Sequence, residues 1–184
     1  MPVDCSQTVA IIGAGPLGRS LALGAARAGF RVLLEDVMPS TLHHAQEYIR
    51  KELGREALPA VEFVSTVEDA VRGADLAIDC VPDELESKLE ILWLLDRMAP
   101  PQTVFATPTT QLSIADLAGC TYRPEKCIAL AAEPAALANL TPGSAIRLRT
   151  SPVTAVETVE LVSRFWRVMG FEVNVEQELS KDEC

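Results

Sequence analysis

The sequence is poor in the residues that most often build metal sites and disulfide frameworks. Its 184 residues include two histidines and five cysteines, and no two cysteines form a C-x-x-C pair. An odd number of cysteines without that spacing favours reduced thiols over disulfides or a zinc site. The adjacent His43 and His44 fall on a predicted solvated helix. No metal site is therefore predicted.

Positive charge and long hydrophobic runs are also scarce. Lys and Arg number 16 against 26 Asp and Glu, which gives a formal net charge of −10. Without a compact basic patch, this balance argues against binding to nucleic acid or to an anionic membrane. No apolar run approaches the length of about 18 residues that suggests a membrane span, and the first residues lack the basic segment of a secretory signal. We expect a cytoplasmic protein that binds neither nucleic acid nor membrane.

The informative feature that is present is a glycine-rich loop between a strand pattern and a helix pattern. The apolar run Thr8–Ile12 leads into the sequence Gly-Ala-Gly-Pro-Leu-Gly, and a helical pattern then continues to Ala28. Gly13 permits the tight turn, Gly15 lets the backbone approach a pyrophosphate, and Gly18 lets the helix pack against the strand. The pyrophosphate is expected at the helix N-terminus. The residues of this segment predicted to bind the cofactor are Gly13, Gly15, Pro16, Leu17 and Gly18.

An acid at the end of the second predicted strand indicates which dinucleotide is bound. The strand Arg31–Leu34 ends in Glu35 and Asp36, and Asp36 continues the strand face that carries Val32 and Leu34. A carboxylate at this position accepts hydrogen bonds from ribose hydroxyls and repels a 2′-phosphate. No arginine follows until Arg50. The predicted cofactor is therefore NAD, not NADP.

Strand and helix patterns alternate along the rest of the chain. Beyond the two strands above, the sequence predicts strands at 61–64, 76–81, 103–106, 127–131, 145–148 and 171–175, and helices at 17–28, 39–53, 67–72, 84–98 and 153–169. This alternation predicts an α/β fold of the Rossmann type, with a doubly wound, mostly parallel sheet and helices on both faces. We expect one dinucleotide-binding domain over residues 1–176 and a polar tail over 177–184.

Three further segments carry a resemblance to a known family. They are Ala74–Lys88, Ala99–Ile114 and Arg123–Ile128, in that order. With the glycine loop, they make the chain resemble the NAD-binding domain of the 3-hydroxyacyl-CoA dehydrogenases from Thr8 to about Val175. The resemblance implies an NAD-dependent oxidoreductase of fatty acid metabolism. It also implies that Val81, Pro82, Asp83 and Lys88 lie at the cofactor.

The sequence departs from the family at the positions that perform the chemistry. The resemblance implies a catalytic histidine, oriented by a glutamate, but these positions fall on Ala131 and about Arg147. The family's loop serine falls on Thr107, which keeps a hydroxyl and is the one candidate catalytic residue. Loss of a general base typically costs about 10²–10⁴-fold in rate. Glu133 is either a substitute base or an exposed loop acid.

Two further observations bear on substrate and partner. The family's C-terminal helical domain does not occur in this sequence, so we expect that another chain completes the substrate cleft or that no acyl-CoA is bound. The predicted helix 84–98 is apolar nearly all round near Trp93 and Leu94, which indicates either a homodimer contact or deep burial.

Three functional hypotheses remain open at this point. The first is an oxidoreductase with impaired or altered catalysis on a small hydroxy or keto compound or an acyl-CoA. The second is a non-catalytic NAD-binding or sensing module that acts through a protein partner. The third, a dinucleotide fold that has lost its cofactor, is disfavoured by the intact glycines and Asp36.

Overall fold

A computed structural model describes residues 7–54, 60–139 and 141–178. Strands and helices alternate through these segments. The elements in chain order are β1 (Thr8–Ile12), α1 (Pro16–Arg27), β2 (Arg31–Glu35), α2 (Pro39–Leu53), β3 (Val61–Val64), α3 (Val67–Val71), β4 (Leu76–Asp79), α4 (Leu85–Met98), β5 (Val104–Pro108), α5 (Ile114–Gly119), β6 (Cys127–Leu130), α6 (Pro134–Ala138), β7 (Ala145–Thr150), α7 (Val156–Val168) and β8 (Glu172–Gln177).

The strands form one sheet in the order β3-β2-β1-β4-β5-β6-β7-β8. Neighbouring strands are parallel except for β6 and β7, which pair antiparallel. Strands β2 and β3 lie on one side of β1, and β4 to β8 lie on the other, so the strand order reverses between β1 and β4. In doubly wound folds, ligands bind at the carboxyl ends of the strands beside such a switch point. The predicted fold class is confirmed.

Two hydrophobic cores cover the two faces of the sheet. Alternate residues of a strand point to opposite faces. Ile11 and Leu34 therefore pack in the core beneath α1, α2 and α7, while Ile12 and Leu33 pack in the core beneath α3, α4 and α5. All five residues of β1 are buried, because the strand is covered on both sides. This explains the continuous apolar runs in the sequence.

The structure adds two short helices that the sequence analysis did not predict, α5 and α6. Helix α5 begins at an N-cap, Ser113, whose Oγ accepts a hydrogen bond from the Asp116 backbone N–H at 3.1 Å. The carboxylate of Glu178 accepts further bonds from Ser113 Oγ and the Ala115 N–H, each at 3.0 Å. Strand β8 ends at Gln177, one residue past the domain boundary predicted at residue 176. Glu178, the next residue, stabilises the N-terminus of α5. Residues 179–184 of the predicted tail lie outside the described residues.

Candidate functional site

The glycine loop between β1 and α1 has the geometry of a phosphate-binding turn. Gly13 has φ +101°, a backbone conformation that favours glycine. A Cβ at Gly18 would lie 1.7 Å from the Gly13 carbonyl oxygen, so this position admits no side chain without a shift of the backbone. A Cβ at Gly15 would meet no atom within 4 Å. The space above Gly15 is therefore open to a ligand at the start of α1.

Asp36 lies beside this loop, directly after β2. Its Oδ2 accepts a hydrogen bond from the Ala14 N–H and its Oδ1 accepts one from the Met38 N–H, both at 2.8 Å. Two backbone amides thus fix the carboxylate at the rim of the glycine turn. Each carboxylate oxygen keeps acceptor capacity for a second donor such as a ribose hydroxyl.

A cavity of about 450 Å³ connects the glycine loop, the end of β2 and the first turns of α4. Its lining includes Gly13, Gly15, Glu35, Asp36, Val37, Cys80, Val81, Pro82, Ser87, Glu90, Ile91 and Leu94. Among these described lining residues there are three acids and no lysine or arginine. Of the residues predicted to bind the cofactor, Gly13, Gly15, Asp36, Val81 and Pro82 line this cavity, and their contact with NAD stays a prediction. The residues fit a dinucleotide that lacks a 2′-phosphate.

Glu35, next to Asp36, also lines this cavity, although the sequence analysis preferred Asp36 and gave Glu35 no role. Its side chain is 2% exposed and its Oε1 has no hydrogen-bond partner among the described residues. Burial, reinforced by the neighbouring Asp36 charge, raises the pKa of Glu35 to about 7. The sequence offered one signal for this burial: Glu35 is an acidic residue on the strand face that also carries the apolar Leu33.

Lys88 lies behind the cavity rather than on its surface. Its Nζ donates to Asp79 Oδ1 at 2.6 Å, and both side chains are fully buried. Burial raises the pKa of Asp79, and the Lys88 ammonium opposes that rise. The pair fixes the first turns of α4 against the end of β4, whereas direct contact of Lys88 with a dinucleotide stays a prediction. Asp83 lies two residues before the start of α4, and its Oδ2 accepts a hydrogen bond from the Thr110 N–H at 3.2 Å.

A second pocket, of about 380 Å³, contains the positions that the family resemblance assigns to the catalytic pair. The Ala131 N–H donates to the Arg147 carbonyl oxygen at 2.9 Å, so the two residues are neighbours across β6 and β7. Glu133 lines the same pocket and accepts a hydrogen bond from Thr110 Oγ at 2.6 Å. Among the described lining residues of this pocket, the only polar side chains are those of Thr110, Glu133 and Arg147.

Thr107 is not among the residues that line either pocket. It is 1% exposed near the end of β5, and its hydroxyl has no hydrogen-bond partner of acceptable geometry among the described residues. The Thr107 hydroxyl lies near Asp79 and lowers the pKa of that carboxyl, but burial raises the same pKa by a larger amount. A catalytic role for Thr107 stays a prediction. Thr110, three residues on, is the hydroxyl that the structure places in the pocket.

Two other sequence expectations concern metals and membranes. The described segments contain no group of three or more His, Cys, Asp or Glu side chains placed to hold a metal ion. Within the same segments, no helix has both the length and the apolar character needed to cross a bilayer.

The doubly wound sheet, the glycine turn and the acid after β2 define a dinucleotide-binding domain of the Rossmann type. Residues 8–170 match the family model described as the 3-hydroxyacyl-CoA dehydrogenase NAD-binding domain. The chain therefore belongs to this family, and its cofactor is NAD.

Individual relatives support the same assignment. The chain is 30% identical over 183 residues to a probable 3-hydroxybutyryl-CoA dehydrogenase of Bacillus subtilis, covering 91% of this chain and 62% of that protein. It is 30% identical to the lambda-crystallin homolog of Bos taurus, covering 88% of this chain and 54% of that protein. The crystal structure of the 3-hydroxyacyl-CoA dehydrogenase of Archaeoglobus fulgidus superposes with a TM-score of 0.80 at 28% identity, covering 96% of this chain and 58% of that one. The chain thus spans somewhat more than half the length of these relatives.

Proposed function

We propose that this chain is an NAD-binding domain of the 3-hydroxyacyl-CoA dehydrogenase type in which catalysis through the family's histidine–glutamate pair is impaired. The observation that carries the proposal is the pairing of Ala131 with Arg147 in one pocket. In this proposal the glycine loop holds the pyrophosphate of NAD, and Asp36 binds the adenosine ribose.

The side chains of the second pocket do not replace the missing pair. The methyl group of Ala131 cannot accept a proton. A guanidinium remains charged and donates only, so Arg147 cannot act as a base and would oppose a nearby imidazolium. Glu133 is exposed and already bonded to Thr110 Oγ. An acyl-CoA is the proposed substrate class, taken from the names of the relatives, and a small hydroxy or keto compound remains the alternative from the sequence analysis.

A non-catalytic role through a protein partner is the second candidate, and one surface observation favours it. Trp93 on α4 is 51% exposed, and the Arg97 guanidinium lies 4.5 Å from the centre of its ring. Tryptophan and arginine are enriched at protein interfaces. We propose a second copy of this chain as the partner at this surface.

Two measurements test the proposal together. Calorimetric titration with NADH is expected to show saturable binding, while acetoacetyl-CoA with NADH is expected to give turnover far below the usual range of about 1–10³ per second. A double variant, Ala131→His with Arg147→Glu, is the matched comparison and should raise any residual turnover. Turnover of the unmodified chain at an ordinary rate would contradict the proposed impairment, and absence of NADH binding would contradict the cofactor site.

A further inference from the structure

Glu35 is an acidic residue in a position that burial makes costly. It occupies the sheet face of Leu33 and Ile12, where its neighbours belong to a hydrophobic core. A buried polar group without a partner costs roughly 1–3 kcal/mol in proteins. Glu35 nonetheless lines the cavity beside Asp36, and its buried Oε1 has no hydrogen-bond partner among the described residues. Such a group is suited to a ligand that enters the cavity and supplies the missing hydrogen bond.

The place of Glu35 identifies which part of the ligand would meet it. Asp36 is the next residue, and the proposed function assigns it to the adenosine ribose. The adenine ring is bonded to that ribose and must lie within a few ångströms of it. The lining of the cavity includes the apolar side chains of Val37, Val67 and Leu94, which offer apolar surface for a flat ring.

We propose that Glu35, in its neutral form, hydrogen-bonds the adenine base, so that NAD binding is coupled to the uptake of one proton. This inference rests on the proposed function, because it requires NAD in the cavity. A neutral carboxyl group has one O–H donor and one C=O acceptor. These match a ring nitrogen and the exocyclic amino group of adenine, whereas an ionised carboxylate can only accept.

The electrostatics of the cavity favour the neutral form over the ionised one. Besides Glu35, the charged groups among the described lining residues are Asp36, the next residue along the chain, and Glu90 on α4, and both are acidic. The facing β4 end contributes the Cys80 thiol, whose pKa burial raises, while β1 and α3 contribute Ile12 and Val67. A base seated on Glu35 would remove the remaining water and further disfavour the charge. With a pKa of about 7 before binding, the carboxyl is partly ionised near neutrality and must gain a proton on binding.

The test is calorimetric titration with NADH at pH 6, 7 and 8, in two buffers with different ionisation enthalpies. The unmodified chain should take up about half a proton per NADH at pH 7, and its affinity should fall by up to about tenfold between pH 6 and pH 8. Glu35→Gln keeps one donor and one acceptor but cannot ionise. It should retain the affinity that the unmodified chain has at pH 6, show no proton uptake, and be independent of pH.

Two further variants make the result decisive. Glu35→Leu removes the hydrogen bonds while keeping a similar volume, and should weaken NADH binding by about tenfold at pH 6. Glu62→Gln, at an exposed position on β3, should leave the proton uptake unchanged. Binding of NADH with no proton uptake and equal affinity at all three pH values would overturn the role of Glu35 and leave the proposed function standing. No NADH binding by either the unmodified chain or Glu35→Gln would instead overturn the proposed function.

Discussion

At the scale of single residues, the Asp36 carboxylate gives the cavity its expected preference for NAD over NADP. Asp36→Ala should lower NADH affinity by about 10–100-fold, since a hydrogen bond to a charged group contributes roughly 1.5–3 kcal/mol. The same variant should lose much less NADPH affinity, because removal of the charge also removes the repulsion of a 2′-phosphate. Calorimetric titration with both nucleotides measures the two changes. Equal affinity of the unmodified chain for NADH and NADPH would contradict this role for Asp36.

Single residues also mark where sequence reasoning reached its limit within the site. The glycines and Asp36 were found because their roles depend on backbone geometry and a fixed spacing, which a sequence displays directly. Glu35 was missed because its significance depends on burial and on the absence of a partner. Thr110 was missed because its partner, Glu133, follows a different strand.

At the scale of elements, the turn from β1 to α1 offers a matched pair of substitutions. Gly18→Ala places a Cβ 1.7 Å from the Gly13 carbonyl oxygen and should destabilise the fold by about 1–3 kcal/mol, as overpacking commonly does. Gly15→Ala meets no protein atom within 4 Å, and its φ of −65° suits alanine, so stability should be kept. Its methyl group would instead occupy space expected for the pyrophosphate and reduce NADH affinity. Urea unfolding and NADH titration of both variants separate the two effects, and a stable Gly18→Ala variant would contradict the first.

The connection between β4 and α4 depends on the buried Lys88–Asp79 pair. Lys88→Met removes the cation and should lower the free energy of unfolding by about 3–5 kcal/mol, because it leaves a buried carboxyl without its partner. The double variant Lys88→Met with Asp79→Asn should lose less than the sum of the two single variants, since the two side chains stabilise one another. Urea unfolding measures all three proteins. Additive losses would show that the pair does not act as a unit.

In the described residues, the eight strands and the four longer helices, α1, α2, α4 and α7, lie close to their predicted positions, because hydrophobic runs and helical periodicity persist over their lengths. The two helices that were missed, α5 and α6, have six and five residues. Segments this short cover fewer than two helical turns and so carry little helical periodicity, although α3, also of five residues, was predicted. Helix α5 also depends on the Glu178 carboxylate, which is 63 residues away from Ala115 along the chain.

At the scale of the whole molecule, the proposed contact between two copies depends on Trp93. The sequence analysis coupled Trp93 with Leu94, but Leu94 is partly buried and lines the cavity beside Asp36. Trp93→Glu should therefore yield a monomer without loss of NADH affinity, because it removes an exposed aromatic side chain and introduces a charge at the proposed interface. Light scattering of the two proteins at equal concentration measures the change, with Glu62→Gln as the control. A monomeric unmodified chain would contradict the contact.

The two tryptophans lie on opposite sides of the sheet, which gives the molecule two optical reporters. Trp166 belongs to the core beneath α7 and is 1% exposed, whereas Trp93 is half exposed on α4, whose other residues line the cavity beside Asp36. Emission from Trp166 is expected at shorter wavelength than emission from Trp93. Energy transfer to a reduced nicotinamide ring depends steeply on distance and orientation, so the two indoles should contribute unequally to it. Trp93→Phe and Trp166→Phe would assign each contribution and report events on either face of the sheet separately.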